Sequence, residues 1–169
     1  MTREDIGKEV VVLIKILRID KRLLHGQVAF TWTTSVGADC ILIACDSLQE
    51  DPLRLTTIKM SKPAGIKLVV KNIGDSIEAI NSGKTDPYKL MVIVESITDA
   101  YRMIKGCAVF KGVSIGYNGK RENTETLTSW VWATPEEIGL IKELLADGIH
   151  VEMQNVPTTK AISASKLIK

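Results

Sequence analysis

The chain has 169 residues, of which 45% are hydrophobic and 25% charged. That balance excludes a disordered chain and lets one domain fold without a disulfide or metal staple. Its 22 Lys and Arg against 20 Asp and Glu leave a net charge of +2, which excludes a broad nucleic-acid-binding surface but not a local basic patch. Apolar runs such as Val10–Ile14, Ile41–Cys45 and Leu90–Val94 have five residues each, against about 20 for a membrane-spanning helix. Met1–Glu9 holds Arg3, Glu4, Asp5, Lys8 and Glu9 and no apolar stretch, so it reads as a polar tail rather than a signal peptide. Residues 10–169 are then expected to form one domain. Cys40, Cys45 and Cys107 make an odd set without a CxxC pair, which argues for reduced thiols in a cytoplasmic protein.

In chain order, Val10–Ile19 is a β-branched stretch interrupted only by Lys15 and Arg18, and it predicts the first strand. A short helix, Gly26–Ser35, follows it. Ile41–Ala44 predicts a second strand, and Asp51–Ser61 a helix carrying Leu53, Ile58 and Met60. Ile66–Val70 is a third strand. Asp75–Ser82 is a helix with Ile77 and Ile80 at i, i+3 and Gly83 as its stop. Leu90–Val94 is a fourth strand. Thr98 or Asp99 is the expected cap of a helix ending at Gly106. Val113–Ile115 is a fifth strand. Leu127–Trp132 fits a short edge or antiparallel strand better than a helix. Thr134-Pro135-Glu136-Glu137 is a strong helix start, with that helix running to Asp147-Gly148. Strand Ile149–Val156 and a last short helix over Thr159–Ile168 complete the reading. Continuous rather than alternating apolarity in the strands implies burial on both faces. The expectation is an α/β fold: an open, mainly parallel twisted sheet of six to seven strands with helices on both faces.

Open sheets of this kind bind ligands beyond the carboxyl ends of their strands. The loop after the first strand reads Arg18-Ile19-Asp20-Lys21-Arg22-Leu23-Leu24-His25-Gly26-Gln27-Val28. It holds one of only two histidines, three basic residues and the start of a helix. A neutral imidazole is a nucleophile near pH 7. A helix N-terminus offers N–H groups and positive potential to a phosphoryl group. Arginines add fixed bidentate charge, Asp20 is placed to orient an imidazole or an arginine, and Gly26 allows close backbone approach. Residue types alone leave two readings standing: a phosphohistidine site, and a non-catalytic anion-binding or regulatory α/β domain with a solvated basic strand end. His150 lies in a predicted strand away from any such cluster and reads as structural. Asp46 ends the second strand on the same side as His25 and is a candidate to line the site, a solvated strand end being its plainer reading. There is no GxGxxG and no GxxxxGK[ST].

This eleven-residue segment, with Trp32 four positions on, resembles the signature of the IIB components of the bacterial sugar phosphotransferase system, in the mannose/fructose/sorbose branch. Lys62-Pro63-Ala64-Gly65-Ile66 and Gly148-Ile149-His150-Val151-Glu152 extend the resemblance, which covers about Val12–Ile168. It implies that His25 is transiently phosphorylated on Nδ1, taking the group from a phosphohistidine of a IIA partner. The acceptor would be a hexose or hexose derivative imported through IIC and IID membrane partners. Arg18 and Arg22 would neutralise the phosphoryl oxygens, Asp20 would hold the loop, and Gly26 and Gln27 would supply donors. No metal, cofactor or nucleic acid is implied. The implied location is the cytoplasm, at the inner face of the membrane through those partners. Many relatives carry a glycine pair after an Asn-led strand where this chain has Ser114 and Gly116-Tyr117-Asn118-Gly119, a stretch whose plain reading is an exposed Asn-Gly turn. Pairing of two copies through the apolar residues of Leu127–Trp132 is left open.

Overall fold

The protein is described by a computed structural model covering residues 13–168. The strands are β1 (Ile14–Ile19), β2 (Cys40–Ala44), β3 (Lys67–Lys71), β4 (Leu90–Val94), β5 (Gly112–Ile115), β6 (Glu125–Thr126), β7 (Trp132–Ala133), β8 (His150–Met153) and β9 (Ile162–Ser163). The helices are α1 (Gly26–Val36), α2 (Pro52–Met60), α3 (Ile73–Asn81), α4 (Ile97–Gly106) and α5 (Pro135–Ala146). Seven strands form one sheet in the order β3-β2-β4-β1-β5-β8-β9. All neighbours are parallel except β9, which runs antiparallel to β8. Strands β6 and β7 form a separate antiparallel pair.

The continuous apolar runs are explained by burial on both faces. In β2, Cys40, Leu42 and Ala44 enter one core, together with α3, α4 and α5. Ile41 and Ile43 enter the other, with Ala29 and Trp32 of α1 and Ile58 of α2. Strand β4 divides in the same way, Leu90, Val92 and Val94 against Met91 and Ile93. Each fully buried side chain of this size contributes roughly 1.5–3 kcal/mol, so the central strands fix the register. All three cysteines are buried thiols, and burial pushes Cys107 up to about 11.

Four helices are capped by a side chain: Asp51 for α2, Asn72 for α3, Ser96 for α4 and Thr134 for α5. Each such cap is worth about 1 kcal/mol. Thr134 and Glu137 form a full capping box, as the Thr-Pro-Glu-Glu sequence predicts. Gly83 takes φ +84° just past α3.

Several expectations need correction. Strand β1 is described from Ile14, and residues 10–12 and the tail Met1–Glu9 lie outside the described residues. The cap of α4 is Ser96, two residues before Thr98, because its hydroxyl reaches the Asp99 N–H at 3.1 Å. Thr159–Ile168 is not a helix. It forms β9 and a single 3₁₀ turn, Ala164–Lys166, drawn into the sheet edge by pairing with Glu152 and Met153. Of Leu127–Trp132 only Trp132 is in a strand. Val131 is fully buried, and Leu127 and Trp130 pack on the core, so the segment is not an exposed apolar face.

Candidate functional site

Strand β1 sits in the middle of the sheet between β4 and β5, so its loop opens onto the carboxyl edge of three strands. The loop is tied down on every side. The Asp20 N–H donates to the Val94 carbonyl at 2.9 Å, and the Lys21 N–H to the Tyr117 carbonyl at 2.8 Å. Leu23 and Leu24 are buried. Leu23 takes φ +58°, a left-handed conformation that a leucine holds only where its surroundings enforce it. The burial of both leucines supplies that enforcement.

Asp20 is 2% exposed. Its Oδ1 accepts from the Arg22 backbone N–H at 2.9 Å and from Arg22 Nε at 3.2 Å. Its Oδ2 accepts from Arg22 Nη2 at 3.3 Å. The carboxylate thus shapes the turn and grips one edge of the guanidinium, which matches the loop-holding role expected for it. Two of the five N–H donors of Arg22 are used here, and its side chain is 37% exposed. The guanidinium also lies over the Tyr117 ring, 4.9 Å from its centre.

Arg18 is placed differently. It is 2% exposed. Its Nη1 donates to Ser114 Oγ at 3.1 Å and to the Gln154 carbonyl at 2.9 Å, and its Nη2 to the Asn155 carbonyl at 2.8 Å. Its guanidinium stacks on Trp32 at 4.0 Å. Burial lowers its pKa to about 10, with Asp20 pulling the other way, so it stays charged at neutral pH. Three of the five Arg18 N–H donors go to the protein and its guanidinium is buried, so the structure shows it anchoring β1, α1 and the segment after β8 to one another, where the resemblance implies a phosphoryl-neutralising role. Gly116 completes that anchor. A Cβ there would lie 2.4 Å from Arg18 Nη2 and 2.9 Å from the Ile19 carbonyl, so only glycine fits.

His25 is exposed and occupies the N-cap position of α1, with φ −142° and ψ 110°. Its side chain makes no cap bond, and α1 has no acidic residue in its first turn. The positive end of this helix is therefore neither capped nor neutralised by its own side chains. Gly26 takes φ +42°, which favours glycine and sets the sharp entry into α1. Gln27 is exposed beside it.

Asp46 does not join this group. Its Oδ1 accepts from the Ile73 N–H and its Oδ2 from Arg102 Nη1, both at 2.9 Å. Those two bonds hold its carboxyl below the usual carboxylate range. It ties the end of β2 to α3 and α4 rather than lining the site.

Two features were not legible in the sequence. Arg54 of α2 donates from Nη2 to the Lys21 carbonyl at 3.0 Å while pairing with Glu95 at 3.0 Å. It holds the loop from the far side, and no spacing pattern links positions so far apart. Within Gly116–Asn123, the Asn118-Gly119 pair is likewise not an exposed turn, while Lys120–Asn123 are exposed. Asn118 is 5% exposed, receives the Trp132 N–H at 2.9 Å and donates to the Trp132 carbonyl at 2.6 Å. Arg121 bonds Glu137 at 2.9 Å. The loop is clasped to β7 and α5 and forms one wall of the site. A cleft of about 170 Å³ lies there, lined by Lys21, Glu95, Ser96, Asn118, Arg121 and Glu137.

An α/β domain with a histidine, a carboxylate-gripped arginine and an open helix N-terminus at its carboxyl edge is the architecture of a phosphoryl carrier. The chain belongs to the PTS system sorbose subfamily IIB component family, whose model matches residues 14–169. It is therefore a phosphotransferase component, a phosphocarrier of a sugar phosphotransferase system. It is 29% identical to a probable phosphotransferase enzyme IIB component of Streptococcus pyogenes, over 92% of this chain and 99% of that one. It is 28% identical to the mannose-specific EIIAB component of Escherichia coli, covering 96% of this chain and 50% of that protein, so it spans half of the latter's length. The IIBSor domain of the sorbose permease from Klebsiella pneumoniae superposes with a TM-score of 0.86 at 24% identity, over 92% of this chain and 95% of that one. Among the described residues, no helix is long and apolar enough to cross a membrane.

Proposed function

We propose that His25 is the phosphoryl-accepting residue, taking the group from a phosphohistidine of a IIA protein and passing it to a sugar held by IIC and IID membrane partners. The single observation that carries this reading is the state of α1: it is the one helix among those described whose N-cap side chain, His25, leaves the first-turn N–H groups uncapped. The imidazole attacks the phosphorus, a new N–P bond forms, and the N–P bond of the donor breaks. The departing imidazole of the donor ends with the proton that His25 gives up. In the second step a sugar hydroxyl attacks, its proton ends on the His25 ring, and the N–P bond of His25 breaks.

Arg22 presents the donors that Asp20 does not use to the phosphoryl oxygens, and the free N–H groups of α1 face the same charge, with Gly26 and Gln27 at the entry. Such preorganised donors are worth on the order of 10²–10³ in rate each. Arg18 contributes through the loop it anchors. The work is done in the cytoplasm, against the inner face of the membrane where IIC and IID lie. The test is incubation with phosphoenolpyruvate, the general carriers and IIA, followed by mass spectrometry. One acid-labile, base-stable phosphate on His25 is expected, and phosphate on a His25→Ala chain would overturn the assignment.

A further inference from the structure

Arg22 is held from two directions, and only one of them is the Asp20 carboxylate. The other is the ring of Tyr117, 4.9 Å from the guanidinium carbon. The ring itself is fixed. It meets Trp132 edge-on, with centroids 6.2 Å apart and planes at 86°. Next to it, Asn118 exchanges two hydrogen bonds with the backbone of Trp132, at 2.6 and 2.9 Å. The Tyr117 carbonyl accepts the Lys21 N–H at 2.8 Å, so platform and loop are joined by backbone as well as by ring. Asp20 grips the guanidinium through Nε and Nη2, and the guanidinium carbon lies over the Tyr117 ring.

We infer that Tyr117 is a positioning residue for phosphoryl transfer, its ring fixing the plane of the Arg22 guanidinium so that the Nη1 edge faces the phosphoryl group on His25. The inference rests on the reading of His25 and Arg22 given above. Its physical basis is the ring quadrupole. A cation over an aromatic face is attracted to it and loses the freedom to swing, and a guanidinium stacks flat where an ammonium does not. An arginine gripped by one carboxylate alone can rotate about that contact; a stacked one cannot. Donors held in place before the reaction are the ones that lower the barrier, since nothing must be reorganised when charge shifts. Tyr117 touches neither phosphorus nor imidazole, so its effect passes through Arg22.

The test is rapid-quench phosphorylation of the full chain by phosphorylated IIA, comparing wild type, Tyr117→Phe, Tyr117→Leu, Arg22→Ala and the Arg22→Ala/Tyr117→Leu double variant. Tyr117→Phe keeps the ring and should transfer within about twofold of wild type. Tyr117→Leu keeps bulk without the quadrupole and should be about three- to tenfold slower, with the loss in maximal rate rather than in half-saturating IIA concentration. In the Arg22→Ala background the same change should add less than twofold, because the two residues act as one unit. The Arg22 Nε–H resonance should carry a ring-current shift in wild type and Tyr117→Phe and lose it in Tyr117→Leu, which checks the stacking without any transfer assay. Unchanged transfer by Tyr117→Leu, a Phe variant as slow as Leu, or additive effects in the double variant would each overturn the inference alone. A wild-type chain that takes up no phosphate would overturn the parent reading and this one with it.

Discussion

The two histidines stand at opposite ends of the same sheet, and their nearest polar partners differ. His25 caps a helix with no acid in its first turn, in the loop where Asp20 already occupies one edge of Arg22. His150 starts β8, with its Nε2 3.0 Å from Glu152 Oε2. It lines a larger cavity, about 290 Å³, among Lys15, Lys111 and Ile16. A phosphoryl group carries two negative charges, and at His150 it would meet a carboxylate within hydrogen-bond reach. On the reading proposed above, at His25 it would meet the uncapped N–H groups of α1 and the exposed Arg22. Chemistry follows the charge left unsatisfied by the fold rather than the depth of the hollow.

The largest expected effect breaks that comparison directly. His25→Ala should lose phosphorylation altogether while His150→Ala transfers at the wild-type rate, measured by radiolabel from phosphoenolpyruvate. Equal losses would remove the distinction between the two ends. Arg22→Ala should slow transfer by about 10²–10³ and also lower thermal stability, since it leaves the buried Asp20 carboxylate without its cation; Arg22→Lys should recover only part, because an ammonium cannot be gripped by both Asp20 oxygens in the same way. Gly116→Ala drives a methyl into Arg18 and the Ile19 carbonyl. A loss of about 1–3 kcal/mol in unfolding free energy, read from denaturant titration, is expected, together with slower transfer, which would show that the buried arginine acts through the loop.

The smallest effect concerns Asp46. Its folded pKa lies below its unfolded one, so its contribution is present above the ordinary carboxylate pKa near 3.8 and is lost as pH falls through the folded value. Asp46 is half exposed, and water screens its pairing, so Asp46→Asn should cost no more than about 1 kcal/mol at pH 7. The difference should vanish near pH 2, and transfer should stay within twofold. A large loss of transfer would return Asp46 to the site.

Much of the fold was readable because it depends on local pattern. Runs such as Leu90–Val94 are apolar at every position, and only a strand covered on both faces uses them so. Thr134-Pro135-Glu136-Glu137 carries its cap within four residues. The misread segments are those whose partner is remote. Thr159–Ile168 follows β8 rather than its own helical tendency. Asn118 and Gly119 are buried because Trp132, fourteen positions after Asn118, turns back to meet them.

The same division holds for the site. The run from Arg18 to Val28 by itself determined a basic loop, a histidine at a helix start and a phosphoryl-transfer reading, because those features lie within eleven neighbouring residues. Tertiary structure alone decided which arginine is free. Arg18 is claimed by Ser114, Gln154 and Asn155, which lie 96 to 137 positions away, and Arg22 is set by Asp20, two positions away, and by Tyr117. A sequence records that two cations are present; only the packing of distant strands around them decides which one is buried as an anchor and which is left exposed.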